Sequence, residues 1–203
     1  MTMGKRTGLL GGTFNPIHRG HIELGLQILR AYHLDNILYI LSAHPPHKTH
    51  INLAPAETRW EMLTRALKPF PQLLPCDIEM KRPTLSWTID TVNELKMKSP
   101  DTEFYFISGS EGFLKIRTWK NYKTLLQTLP FIVVLRDPAH APVVENLLNE
   151  EKVERVHLFS YQSDKLDISS TLIREKIKQS QSIEGLVEEE VKKMMEVNKL
   201  YEA

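Results

Sequence analysis

The sequence predicts an α/β fold, a Rossmann-like doubly wound parallel sheet with helices on both faces. Three observations carry this expectation. Short apolar runs recur along the chain and alternate with longer segments of helical periodicity. The first run, Arg6-Thr7-Gly8-Leu9-Leu10, leads through the glycine-rich stretch Gly11-Gly12-Thr13-Phe14-Asn15-Pro16-Ile17-His18-Arg19-Gly20-His21 into a helix bearing Ile22, Leu24, Leu26, Ile28 and Leu29. The polar segments richest in chemistry each follow an apolar run, and parallel sheets bind ligands beyond the carboxyl ends of their strands.

After the first strand and helix, Ile37–Leu41 reads as a second buried strand. Ala56–Leu67 reads as a helix opened by Pro55, whose fixed φ suits a helix start. Leu73–Ile78 is a third strand, and Ser86 can cap a helix running to about Lys98. Phe104–Ile107, Phe131–Leu135 and Val156–Phe159 complete the strands. A helix opens at 168–174, and between Glu184 and Lys199 the residues Val187, Val191, Met194 and Met195 form one helical stripe. Parallel strands require right-handed crossovers, so the loops at 11–21, 42–50, 108–111, 136–138 and 160–171 should converge on one crevice.

The chain has 203 residues, the size of one domain with a substantial core, in which 168–203 would form a closing helical segment. Its formal net charge is +1 with the charges interspersed, which argues against a nucleic-acid partner or an acidic tail. One cysteine, Cys76, gives no disulfide framework and fits a reducing compartment, best explained as a small buried hydrophobe. No apolar run is long enough for a membrane span or a signal peptide, so a cytoplasmic location is expected. Nothing in the sequence decides between a monomer and a homo-oligomer.

The strand–turn–helix junction carries the chemistry. A helix amino terminus presents unpaired N–H groups and partial positive charge, which stabilise a phosphate. Gly11 and Gly12 are expected to let the backbone turn tightly and approach a ligand, and Gly20 to remove a side chain from between the imidazoles. With His18 and His21 on one face of the first turn, each ring can donate an N–H to a phosphoryl oxygen. Phosphoryl and nucleotidyl transfer need such positioning and charge neutralisation more than covalent help. An isolated pair of histidines would be ordinary surface or capping residues; here strand, glycines, Asn15-Pro16 and helix coincide.

Elsewhere, Ile168-Ser169-Ser170-Thr171-Leu172-Ile173-Arg174 opens a helix with hydroxyls at the cap and an arginine one turn in. This is either a second anion site or simply a well-capped helix with a solvated arginine. His44, His47 and His50 recur at three-residue intervals, but Pro45 and Pro46 prevent a helix that would align them for zinc. Lys96-Met97-Lys98-Ser99 is best explained as a solvated helix end before Pro100.

The stretch GGTFNPIHRGH strongly resembles the H-x-G-H signature of the nucleotidyltransferase superfamily that includes class I aminoacyl-tRNA synthetases. More narrowly, it resembles the bacterial nicotinate mononucleotide adenylyltransferases, with Asn15 where Asp is usual. Segment 168–174 is similar to that family's ISSTxIR motif, and Pro45-Pro46-His47-Lys48 to its PPHK loop. Ser86-Trp87-Thr88-Ile89-Asp90-Thr91 is similar to its SYTxDTL segment, with Trp87 for tyrosine. Ser108-Gly109-Ser110-Glu111 stands where the family reads G-x-D, and Arg136-Asp137-Pro138 where it reads R-P-G. Asn198-Lys199-Leu200-Tyr201 resembles the family's carboxyl terminus, so the similarity spans essentially the whole chain.

The resemblance implies an adenylyltransferase that joins nicotinate mononucleotide to the AMP portion of ATP, forming deamido-NAD and releasing pyrophosphate. His18, His21, Lys48 and Arg174 would be catalytic. Gly11, Gly12, Thr13, Phe14, Gly109, Glu111, Arg136, Ser169, Ser170 and Thr171 would join the histidines and Arg174 around ATP. Thr13, Lys48, Thr88 and Trp119 would meet the mononucleotide, Trp119 stacking on its ring, although a core tryptophan would look the same in sequence. Magnesium would be held mainly by substrate phosphates and water, with no dedicated protein site. The competing acceptors are nicotinamide mononucleotide and phosphopantetheine, and the rival of another class is a non-catalytic nucleotide-binding regulator.

Overall fold

In the computed structural model, residues 5–43, 53–82, 85–161 and 168–202 are described. Six strands, β1 (Arg6–Gly12), β2 (Asn36–Leu41), β3 (Leu73–Cys76), β4 (Glu103–Gly109), β5 (Phe131–Leu135) and β6 (Val156–Ser160), form one sheet of order β3-β2-β1-β4-β5-β6. Every neighbouring pair is parallel. The chain starts at the centre, winds out to β3, then crosses back to β4 and winds to the other edge. Connections therefore leave β1 and β4 in opposite directions and open a crevice beyond their carboxyl ends.

The helices are α1 (Arg19–Ala31), α2 (Ala56–Leu67), α3 (Thr88–Lys98), α4 (Ser110–Phe113), α5 (Tyr122–Thr128), α6 (His140–Glu151), α7 (Ser170–Lys178) and α8 (Glu189–Val197), with a 3-10 turn at Ile116–Thr118. Side chains alternate across a strand, and here both faces are covered, so the central strands read as unbroken apolar runs. Leu10, Tyr105, Ile107, Ile132 and Val134 face one core, filled from α1, α2, α7 and α8 by residues such as Ile28, Met62, Ile173 and Met195. Leu9, Phe104, Phe106, Phe131 and Val133 face the other, filled from α3, α5 and α6 by Val92, Leu125 and Val144.

Most expected boundaries hold, and the differences have physical causes. β3 stops at Cys76 because the chain turns there, with Met80 N–H donating to Asp77 O at 2.9 Å. Pro75 is tolerated in β3 because this is an edge strand, where a missing N–H breaks no ladder. The residue before α3 is Trp87, not Ser86, and it makes no side-chain cap. α8 begins only at Glu189, although all four residues of its expected stripe are buried. Helices α4, α5 and α6 were not expected: the first two are too short to show a period, and α6 has no capping side chain.

One contact sets how α1 lies on β2. Tyr39 is fully buried, and its hydroxyl donates to His21 O at 2.8 Å. The hydroxyl passes where a side chain on Gly25 would be, since a Cβ there would lie 2.1 Å from it. Gly25 thus keeps the helix close enough for Tyr39 to reach the residue that carries the second motif histidine. Gly25→Ala should destabilise the fold by about 1–3 kcal/mol in urea unfolding, the usual range for overpacking. Adding Tyr39→Phe, which removes the clashing oxygen, should restore part of that loss.

Candidate active site

The turn between β1 and α1 is held from outside by its carbonyls. Thr13 O accepts from Arg59 Nη1 at 2.9 Å, Asn15 O from Arg174 Nη1 at 2.8 Å, and Pro16 O from Ser170 Oγ at 2.9 Å. The side-chain oxygen of Asn15 accepts from Ala54 N–H at 3.0 Å and from Tyr201 hydroxyl at 2.7 Å. This oxygen is equally available in Asp, which explains why Asn15 serves in its place. Gly11 and Gly12, expected within the turn, are the last residues of β1, and the positive φ of 44° falls on Phe14. Gly12 instead makes room for the Phe14 ring, 2.9 Å from where its Cβ would stand, and that ring meets His21 edge-on at 5.2 Å.

His18 was expected within the first helical turn; it is the cap residue, extended at φ −145° and ψ 167°. Its backbone N–H donates to His21 Nδ1 at 3.3 Å, and the two rings lie 3.7 Å apart. Because Nδ1 of His21 accepts, a neutral His21 carries its proton on Nε2. Gly20 is needed here: a Cβ would approach the His18 ring to 3.1 Å. His18 is only 2% exposed, and its Nδ1 has no hydrogen-bond partner among the described residues. Burial, with help from the charge of Arg136, lowers its pKa to about 3. A buried unpaired nitrogen costs about 1–3 kcal/mol in the free protein, a deficit that a polar ligand can remove.

A cavity of about 740 Å³ opens beyond β1, β2 and β4. Its wall includes Gly11, Gly12, Thr13, Thr88, Gly109 and Trp119, so of the expected mononucleotide residues Thr13, Thr88 and Trp119 come together. Trp119 is partly exposed and rests edge-on against Phe106 at 5.7 Å, so it packs on the second core with one side and lines the cavity. His18, His21, Glu111, Arg136, Ser169, Ser170, Thr171 and Arg174 are outside that wall. Arg136 and Glu111 are exposed, at the ends of β5 and β4. Asp137 departs from the family pattern but makes its own turn, accepting from Ala139 N–H at 2.9 Å.

At α7 the capped-helix reading holds at Ser169, while Arg174 is half-buried and not simply solvated. Ser169 Oγ caps the helix by accepting from Leu172 N–H at 3.1 Å, and the Ser170 proton goes to Pro16. Arg174 also donates to Thr171 Oγ1 at 3.3 Å. The helix start and its arginine are thus pinned against the His18 turn. Lys48, with His44, Pro45, Pro46, His47 and His50, lies outside the described residues. Among the described residues, no group of three or more His, Cys, Asp or Glu is placed to hold a metal ion.

Two residues escaped sequence reasoning. Arg59 is 1% exposed and donates to the carbonyls of Thr13, Ser42, Ala43 and Ala54. Its signal was present: a charged residue on the stripe of Met62, Leu63 and Ala66. Glu79, buried in the cavity wall, had no signal beyond standing between Ile78 and Met80.

Helix starts and imidazoles gathered at one turn, beside a cavity with an aromatic wall, define a class of enzyme that moves a nucleotidyl group between two bound substrates. Comparison with known proteins narrows the class. The cytidylyltransferase-like family profile matches residues 9–176. A protein of Clostridium acetobutylicum named probable nicotinate-nucleotide adenylyltransferase is 33% identical over 97% of this chain and 99% of its own length. Another of that name from Carboxydothermus hydrogenoformans is 34% identical over 98% of each. The fold is shared with a nicotinic acid mononucleotide adenylyltransferase of Plasmodium falciparum complexed with NaAD, at a TM-score of 0.81, 21% identity and 97% coverage of both chains. The chain belongs to the cytidylyltransferase-like family, in the group of the nicotinate-nucleotide adenylyltransferases.

The state of His18 makes stability depend on pH. Its folded pKa of about 3 lies below the ordinary 6.5, so between these values the unfolded chain binds the extra proton. Its contribution is intact above the upper value and is lost on acidification through that window, by about 1.4 kcal/mol per pH unit. The melting temperature of the wild type should therefore fall more steeply from neutral pH toward acid than that of His18→Asn. Parallel curves for the two proteins would contradict the assignment.

Proposed function

We propose that this protein transfers the adenylyl group of ATP to nicotinate mononucleotide, forming deamido-NAD and pyrophosphate, in the cytoplasm. One placement carries the reading: the cavity bearing Thr13, Thr88 and Trp119 adjoins the turn that presents His18 and His21. An oxygen of the mononucleotide phosphate attacks the α-phosphorus of ATP. The bond from that phosphorus to the bridging oxygen breaks, and pyrophosphate leaves with the electron pair. The substrate brings its own nucleophile, so no covalent enzyme intermediate is needed.

In this scheme His21 donates from Nε2, and neutral His18 donates beside it, to the oxygens on which charge builds. The Arg174 guanidinium, oriented by Asn15 O and Thr171 Oγ1, steadies the leaving pyrophosphate, and Lys48 guides the phosphates. Gly11, Gly12, Thr13, Phe14, Ser169, Ser170 and Thr171 surround the triphosphate, while Gly109, Glu111 and Arg136 serve the adenosine side. Trp119 stacks on the pyridine ring, with Thr88 as hydroxyl donor. Magnesium enters as part of the ATP substrate, bound to phosphate oxygens and water.

Purified protein supplied with ATP, magnesium and one mononucleotide at a time should release pyrophosphate fastest with nicotinate mononucleotide. A clear preference for the nicotinamide form would overturn the acceptor. His21→Ala should lower kcat by about tenfold or more with the fold intact, the size expected for losing one charge-stabilising donor. Trp119→Ala should instead raise the KM for the mononucleotide and leave that for ATP nearly unchanged; an unaltered mononucleotide KM would remove the stacking role.

A further inference from the structure

The cavity wall combines strand ends, aromatic surface, hydroxyls and the cations Lys115 and Lys120, and among the described residues Glu79 is its one carboxylate. The residue lines the cavity, as do Ser42 and Thr91, the partners of its carboxyl, and it is only 8% exposed. Thr91 Oγ1 donates to its Oε1 at 2.9 Å, and the Ser42 side chain makes a further hydrogen bond. Arg82 stands behind them: Nη1 donates to Thr91 Oγ1 at 2.8 Å, while Nη2 pairs with Glu94. The hydrogen bonds therefore link the cation to Glu79 through the threonine hydroxyl. Among the described residues none forms an ion pair with it. Burial pushes the carboxyl upward in pKa, and Thr91, Arg82 and Ser42 pull it back.

A carboxylate can accept about four hydrogen bonds, and the two hydroxyls fix the orientation of this one without saturating it. A buried, unsaturated acceptor in a cavity selects a ligand that brings donors. The chemistry of the proposed substrate offers few. Its phosphate accepts, its ring nitrogen is bonded to the sugar, and a ring carboxylate is an anion that Glu79 would repel. Only the two ribose hydroxyls donate. Placement agrees: Thr91, which holds Glu79, lies three residues beyond Thr88 on the same face of α3, a rise of about 4.5 Å at about 1.5 Å per residue. That span is comparable with the distance from a ring substituent to a hydroxyl of the attached pentose.

We propose that Glu79 accepts a hydrogen bond from a ribose hydroxyl of the bound mononucleotide and so selects a ribonucleotide acceptor. The inference rests on the adenylyl-transfer reading above. In Glu79→Gln the remaining oxygen still serves Thr91, and an amide N–H₂ replaces the acceptor facing the cavity.

The experiment compares wild type, Glu79→Gln and Glu79→Asp with nicotinate mononucleotide and its 2′-deoxy and 3′-deoxy analogues. Steady-state kinetics are paired with calorimetric binding. Removing the contacted hydroxyl should lower the wild-type kcat/KM by about tenfold or more, as for a hydrogen bond to a charged group. Glu79→Gln should raise the mononucleotide KM about as much, leave the ATP KM unchanged, and be indifferent to loss of that hydroxyl. Glu79→Asp should be intermediate. If wild type used the deoxy analogues as well as the parent, or Glu79→Gln harmed all three equally, the proposal would be wrong and the side chain only structural. A shift in acid-versus-amide preference in Glu79→Gln would place the carboxyl at the ring substituent and overturn it too. Wild type that neither bound nor adenylylated any mononucleotide would remove the parent reading and this one together, whereas turnover insensitive to the ribose would remove only the role of Glu79.

Discussion

The architecture depends on the anchoring of one short turn. Thr13, Asn15 and Pro16 offer three carbonyls near the centre of the protein, and each is taken by a side chain from another element. The most demanding of these partners is Arg59. A guanidinium removed from water is costly unless its donors are satisfied, and Arg59 satisfies them on four backbone carbonyls. Burial accordingly lowers its pKa, though the nearby Tyr201 and Glu57 act in the opposite direction. The same side chain joins the turn to the end of β2 and to Ala54, two residues before α2, so the crevice is braced on the side of the first core.

The bracing reaches both ends of the chain. Arg174 and Ser170 come to the turn from more than 150 residues away, and Tyr201 from 186. Arg19, at the start of α1, donates its backbone N–H to Leu186 O and pairs with Glu188 at 3.0 Å. Contacts of such sequence separation are entropically expensive to close, so they persist only where the apolar core has already brought the segments together. Val187, Val191 and Met194 supply that condition by burying the carboxyl-terminal stripe against α2.

What the sequence made legible follows from this division of labour. The central strands and the histidine junction were readable because local pattern determines them: buried runs such as Phe131–Leu135, glycines beside His18, and Ser169 at a helix start. The short helices α4 and α5 were not, because seven residues or fewer carry no usable period. The cap position of His18 depends on the dihedral angles of one residue, which composition does not encode. Arg59 and Glu79 escaped for another reason. Their roles consist of partners scattered over the chain, as with the hydroxyls of Ser42 and Thr91 around Glu79, and no linear motif records such a neighbourhood.

The attachment of α7 to the first turn bears on how far members of this family can exchange parts. Ser170 and Arg174 touch Pro16 and Asn15 directly, so the amino-terminal signature and the carboxyl-terminal helix are two halves of one fitted surface. A chimaera carrying the first half from this protein and the second from a relative would inherit each motif whole and could still misalign the pair. Matching at Asn15, Arg59 and Tyr201, rather than at the motifs themselves, would decide whether the hybrid works.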